Sequence, residues 1–201
     1  MSVFSYIRSA LIRFVQVGAL RITPTVDPGV LAPLGLAAIS EPAPVQATPS
    51  PKGFNALAVD VAAALARRFE GLYLCPYLCP AGVPTIGYGA TRYLDGRAVT
   101  LNDPPITREV AEAMLLEQVR TIYLPAVLKL CPGVDTPERL AALIDFAFNL
   151  GAGNLRASTL RKRVNAGRWS DVPAEFRKWV RGGGRVLRGL VLRREAEADL
   201  I

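Results

Sequence analysis

The sequence predicts an α+β domain, with one β-hairpin set among helices. Three observations predict it. Between residues 55 and 70 apolar side chains recur at three- and four-residue spacing, the period of one helix face. Over residues 72–93 that period gives way to Tyr and Leu alternating with small residues and broken by Pro and Gly, the pattern of a hairpin. From Thr107 the helical period returns and holds nearly to Ile201.

Taken in order, the first helix carries Leu57, Val61, Ala64, Leu65, Ala66 and Phe69 and ends at Glu70, with Gly71 as its terminator. Glu70 then falls in the last turn, where the helix dipole opposes a negative charge. That is a poor place for a structural Glu and a suitable one for a carboxyl that must hold its proton. The hairpin turns at Pro80-Ala81-Gly82. A turn centred there sets Thr85 close to Tyr77 and Cys79, with Glu70 facing the same hollow. Asp95-Gly96 marks another turn.

Thr107 caps a helix whose apolar positions include Val110, Ala113, Met114, Leu115 and Val119. Tyr123-Leu124-Pro125 bends its path. Thr136-Pro137 restarts a helix with Pro at its first position. Leu140, Ala141, Leu143, Ile144, Phe146, Ala147 and Phe148 make that helix apolar nearly all round, as in the centre of a lobe. Ser158-Thr159-Leu160 opens a short basic helix running to Asn165. Residues 171–181, with Phe176, Trp179 and Val180, read as another helix. Gly182-Gly183-Gly184 reads as a flexible break before a final helix containing Arg193-Arg194. Trp169 and Trp179 lie in amphipathic segments and read as core.

The segment before residue 53 is different in kind. Residues 1–21 fit an amphipathic helix with Arg8, Arg13 and Arg21 between apolar positions, and those arginines interrupt any membrane span. Residues 23–52 hold seven Pro and read as an extended linker. The run 30–40 imitates a signal-peptide core, but Asp27, the long lead and the internal Pro weaken that. Net charge is +7, read as a solvated surface, an attraction to polyanions, or membrane-surface binding by the N-terminus.

With no His in the chain, His general bases, His nucleophile dyads and His metal sites are excluded. The three Cys (75, 79 and 131) lack zinc-site spacing, and their odd number argues against a complete disulfide framework. Cys75 and Cys79 form a candidate pair only in an oxidising compartment.

Glu70, followed after nine residues by Cys79 and after six more by Thr85, lies within a run ending Cys-Pro-Ala-Gly-Val-Pro-Thr-Ile-Gly-Tyr-Gly. This resembles the phage-type lysozymes, glycoside hydrolase family 24. Further blocks at 148–154, 158–167, 179–184 and 189–197 are similar to that family's C-terminal lobe, in its order. The resemblance covers residues 53–201, expected as a lysozyme-like catalytic domain. Residues 1–52 are expected to be an N-terminal extension.

The resemblance implies a small β-hairpin N-terminal lobe and a larger helical C-terminal lobe. It implies Glu70 as the catalytic acid, Thr85 as the residue that positions water, and Cys79 at a position where the family carries Asp or Cys. Whether Cys79 is base, nucleophile or spacer stays open at this point. Arg193 or Arg194 would reach back to Glu70, or would be a solvated pair flanking Glu195.

The function implied is a muramidase, a phage or prophage endolysin cleaving peptidoglycan, with no cofactor, no metal and no specific nucleic acid. It would be made in the host cytoplasm, act on the cell wall in the periplasm, and be monomeric unless bound to a particle. The long N-terminal segment favours one alternative, a virion structural or adaptor protein carrying a lysozyme-like lobe. That protein would meet a virion or membrane partner through residues 1–52.

Overall fold

The computed structural model describes residues 51–79 and 81–201. The amphipathic segment 1–21, the Pro-rich stretch up to residue 50 and the signal-like run lie outside the described residues. Helix α1 spans Pro51–Phe69. It starts one turn before the apolar period does, because Pro fits the first turn of a helix and Lys52 and Gly53 continue it without needing a buried face. Its buried face is mostly alanine, with Ala58, Ala62, Ala63 and Ala66 beside Val59, Val61 and Leu65. Small side chains let a second helix approach closely. That partner is α4, Pro137–Leu150, buried from Leu140 through Ala147.

The hairpin follows at once. Strand β1, Tyr73–Leu78, pairs antiparallel with β2, Pro84–Gly87, in the register Tyr77 opposite Thr85. The register slips between Tyr73 and Tyr77, where Pro76 has no N–H to give the ladder. At the tip, Gly82 N–H donates to Cys79 C=O at 2.8 Å, and Gly82 has φ of 74°. Ile86, Ala90, Val99 and Met114 make a small core beneath the hairpin.

Met114 belongs to α2, Arg108–Gln118, whose Ala111 and Leu115 face the main core instead. One helix thus backs both cores. Thr107 caps it, its hydroxyl accepting from Val110 N–H at 3.3 Å. Val110 and Ala113, expected on the buried face, are exposed, and Ala111 takes their place.

Around Pro125 the chain widens instead of bending off. Val119–Tyr123 form a π-turn that runs directly into α3, Leu124–Leu130, with Leu124 N–H bonded to Val119 C=O. The wider turn accommodates a Pro ring that would clash with a regular i−4 carbonyl. Caps at Thr136 and Ser158 stand where the sequence places them. They open α4 and, after α5 (Ala152–Ala157), α6 (Thr159–Asn165).

A 3₁₀ turn, Trp169–Asp171, leads into α7, which is only Val172–Phe176, so the helix expected over 171–181 stops early. Trp179 leaves the helical path to meet Phe146 edge-on, with centroids 5.3 Å apart at 89°. The following glycines are a hairpin turn and no flexible break. Strands β3 (Arg181–Gly182) and β4 (Arg185–Val186) pair across Gly183 and Gly184, at φ of 56° and 76°. Positive φ at both central residues is what a two-residue hairpin requires. Helix α8, Arg188–Ala198, closes the order.

An added methyl at Gly183 or at Gly189 meets no atom within 4 Å, but only Gly183 has positive φ. Gly183→Ala should therefore destabilise by about 1–2 kcal/mol through backbone strain alone. Gly189→Ala, in the first turn of α8, should be neutral or stabilising by up to about 1 kcal/mol. Paired urea titrations of the two variants check this.

Candidate active site

Glu70 stands one residue beyond α1, its N–H still bonded to Ala66 C=O at 2.8 Å. Its side chain is 30% exposed and receives Arg193 Nη1 on Oε1 at 2.5 Å. Arg193, not Arg194, is therefore the arginine that reaches back. Its guanidinium is 3% exposed, in contact range of the Phe69 and Phe148 rings, and is gripped from below by Asp145. Nε and Nη2 donate to the two Asp145 oxygens at 2.8 Å each. Burial alone would lower the Arg193 pKa, but Asp145 and then Glu70 raise it above its ordinary value.

Arg194 turns inward. Its Nη2 donates to Glu197 Oε1 at 2.6 Å and to Asn149 Oδ1 at 3.2 Å, and its guanidinium carbon lies 5.1 Å from the Phe146 ring centre. Burial pushes the Glu197 carboxyl well above the usual range, and the Asp145 charge adds to that.

The hairpin carries the other two candidate residues. Thr85, 3% exposed, pairs with Tyr77, and its hydroxyl donates to Val83 C=O at 2.9 Å. Backbone hydrogen bonds from Val83 and Ala81 reach Cys79 and hold its thiol below the ordinary value, with the Thr85 side chain adding a smaller effect in the same direction. The Thr85 hydroxyl has a single proton. Given to Val83, it leaves lone pairs free for a neighbouring O–H donor.

Tyr77 is pushed above the ordinary phenol value by burial first, then by the charges of Tyr73, Cys79 and Glu70. Tyr123, on the π-turn, is pushed up by burial and then by Glu70. Both phenols therefore lie within reach of the Glu70 charge. The structure brings Cys79 and Thr85 together at the end of the hairpin, and Glu70 is near enough to Tyr77, opposite Thr85, for its charge to act on that phenol.

It also adds Asp145, Tyr123 and Glu197, which sequence reasoning missed. The one available signal was an Asp in the middle of an otherwise apolar helix. Cys75 is exposed on β1 and all three cysteines are free thiols.

Cys131 is buried, and that pushes its thiol up to about 11. Alkylation of the folded protein should therefore modify Cys79, starting at a pH below that of an ordinary thiol, and leave Cys131 untouched until denaturant is added. Mass spectrometry of peptides labelled across pH 5–9 reads this order.

The Phage lysozyme family pattern matches residues 67–197, from the last turn of α1 to the end of α8. An endolysin of Acyrthosiphon pisum secondary endosymbiont phage 1 is 39% identical over 141 residues, covering 68% of this chain and 91% of that one. An endolysin of Bacillus phage B103 is 37% identical over 136 residues, 68% of this chain, which spans 50% of that longer relative. Among solved structures, the endolysin from Escherichia coli O157:H7 phage FAHEc1 superposes with a TM-score of 0.61 at 34% identity, over 73% of this chain and 91% of the other. The hairpin lobe, the buried helix α4 and the arginine of α8 all fall inside the matched region, and the chain belongs to the phage lysozyme family of peptidoglycan-hydrolysing enzymes.

Proposed function

We propose that this protein is a muramidase that hydrolyses the β-1,4 bond between N-acetylmuramic acid and N-acetylglucosamine, serving as a phage or prophage endolysin in host lysis. The observation that carries the reading is Glu70 at the end of α1, held by the buried Arg193 and within electrostatic reach of Tyr77, which pairs with Thr85 on the hairpin. It would be made in the host cytoplasm and act on the wall in the periplasm.

In this reading Glu70 gives its proton to the leaving glycosidic oxygen. Water attacks the anomeric carbon from the hairpin side, which inverts the centre. Thr85 holds that water through a hydroxyl lone pair, and Cys79 as thiolate takes the water's proton. The backbone hydrogen bonds that lower the Cys79 pKa favour this base role over that of a spacer. The carbon–oxygen bond to the leaving sugar breaks as the bond to water forms, and the proton returns from sulfur to Glu70 through solvent. Residues 1–52 take no part in this chemistry.

Glu70→Gln should keep the thermal transition and lose muralytic activity by several orders of magnitude, measured as clearing of permeabilised cells. Retention of more than about a tenth, under about 1.4 kcal/mol in barrier height, would sink the assignment.

The Cys79 series separates base from spacer. Cys79→Asp should keep substantial activity, because a carboxylate can also take the proton, and Cys79→Ala should lose most of it. Cys79→Ser should sit near the Ala level, since an alcohol is a poor base. If Ala is tolerated and Asp is not, Cys79 is packing and nothing more.

A further inference from the structure

Arg193 meets three carboxylate oxygens, and only one belongs to Glu70. The other two belong to Asp145, wholly buried in the middle of α4 among apolar neighbours. A carboxylate there is costly to desolvate, and an apolar side chain would fill the space at lower cost. The muramidase chemistry described above assigns it no step.

The groups around it define its charge. From α8 come Arg193, Arg194 and Glu197, all buried. On α1, Arg67 is committed to Glu112 and Arg68 lies over the Phe69 ring. Tyr77 on the hairpin and Tyr123 on the π-turn lie within reach of the Glu70 charge. Glu197 Oε1 takes a hydrogen bond from Arg194, but Oε2 is buried with no donor. The group it meets is the acceptor Asp145. A proton on Glu197 Oε2, donated to Asp145, satisfies both carboxyls, so Glu197 is the neutral member and Asp145 carries the charge.

A cation beside a general acid creates a conflict. It favours the carboxylate form, yet the acid must be protonated to act. We propose that Asp145 is a positioning residue that resolves this conflict. It fixes the Arg193 guanidinium so that Nη1 meets Glu70, and it supplies the buried negative charge that balances Arg193 whenever Glu70 is in its acid form. Once Glu70 has given up its proton, the same Nη1 receives the carboxylate. This rests on the reading of Glu70 as the acid.

The test is the pH–rate profile of cell-wall hydrolysis by the full chain, for the parent, Asp145→Asn and Glu197→Gln. The Glu70 carboxyl resonance, assigned by its loss in Glu70→Gln, is followed in parallel. With Asp145→Asn the limb of the profile that Glu70 governs should move down by about one pH unit, and the carboxyl resonance should move with it, KM staying within about twofold. Glu197→Gln, which keeps a donor toward Asp145, should leave the limb in place.

A folded Asp145→Asn variant in which neither limb nor resonance moves overturns the proposal. So does a Glu197→Gln limb displaced as far as that expected for Asp145→Asn, because the charge would then sit on Glu197. A resonance that moves while the limb stays supports the charge balance and refutes Glu70 as the acid, so the two readings fail separately. If Asp145→Asn does not fold, Asp145→Asn/Arg193→Gln removes both charges of the pair. Its rate should equal that of Arg193→Gln alone, and a further loss of more than about tenfold, additive where a shared pathway is expected, overturns the proposal.

Discussion

The buried guanidinium of Arg193 is the constraint on which the rest of the site depends. It joins the end of α1 through Glu70 and the middle of α4 through Asp145, from its own place on α8. Helix α8 buries little apolar area. Besides Ala196 and Ala198, its buried side chains are Arg193, Arg194 and Glu197. It therefore docks largely through ions, and removing one partner of a buried pair leaves the other uncompensated, at about 3–5 kcal/mol. Such pairs are no efficient source of stability, which is a reason to look for their role in chemistry.

The hairpin contributes a different kind of order. Tyr88 OH donates to Glu112 at 2.6 Å, and Glu112 also pairs with Arg67, so the turn following β2 is tied to both α1 and α2. Gly87 packs against Ala111 from the other side. These contacts fix the base of the hairpin. Its tip, where Cys79 accepts the backbone N–H groups, is left half exposed.

Local features were legible in the sequence because local physics makes them. Thr107, Thr136 and Ser158 cap the helices they precede, a tight turn separates Cys79 from Thr85, and two residues separate Glu70 from β1. What was not legible depends on distant partners. Asp145 acquires meaning only from Arg193, 48 residues later. Trp179 and Val180 continue a helical spacing in the sequence, but Trp179 is drawn aside by Phe146. Pro125 looks like a break, and the π-turn that absorbs it has no short-range signature. Gly183 and Gly184 signal either looseness or a tight turn, and only the pairing of their flanks decides.

The Glu70–Arg193 contact spans 123 residues of chain. On a ribosome adding about 5–20 residues per second, Glu70 emerges about 6–25 s before the arginine that holds it. The hairpin and α1 are local and can form in that interval, whereas the Arg193 bridge between Glu70 and Asp145 cannot. A nascent or truncated chain lacking α8 thus carries the recognisable motif without a finished centre. Competence to cut arises late in biosynthesis, when the last long helix seats itself.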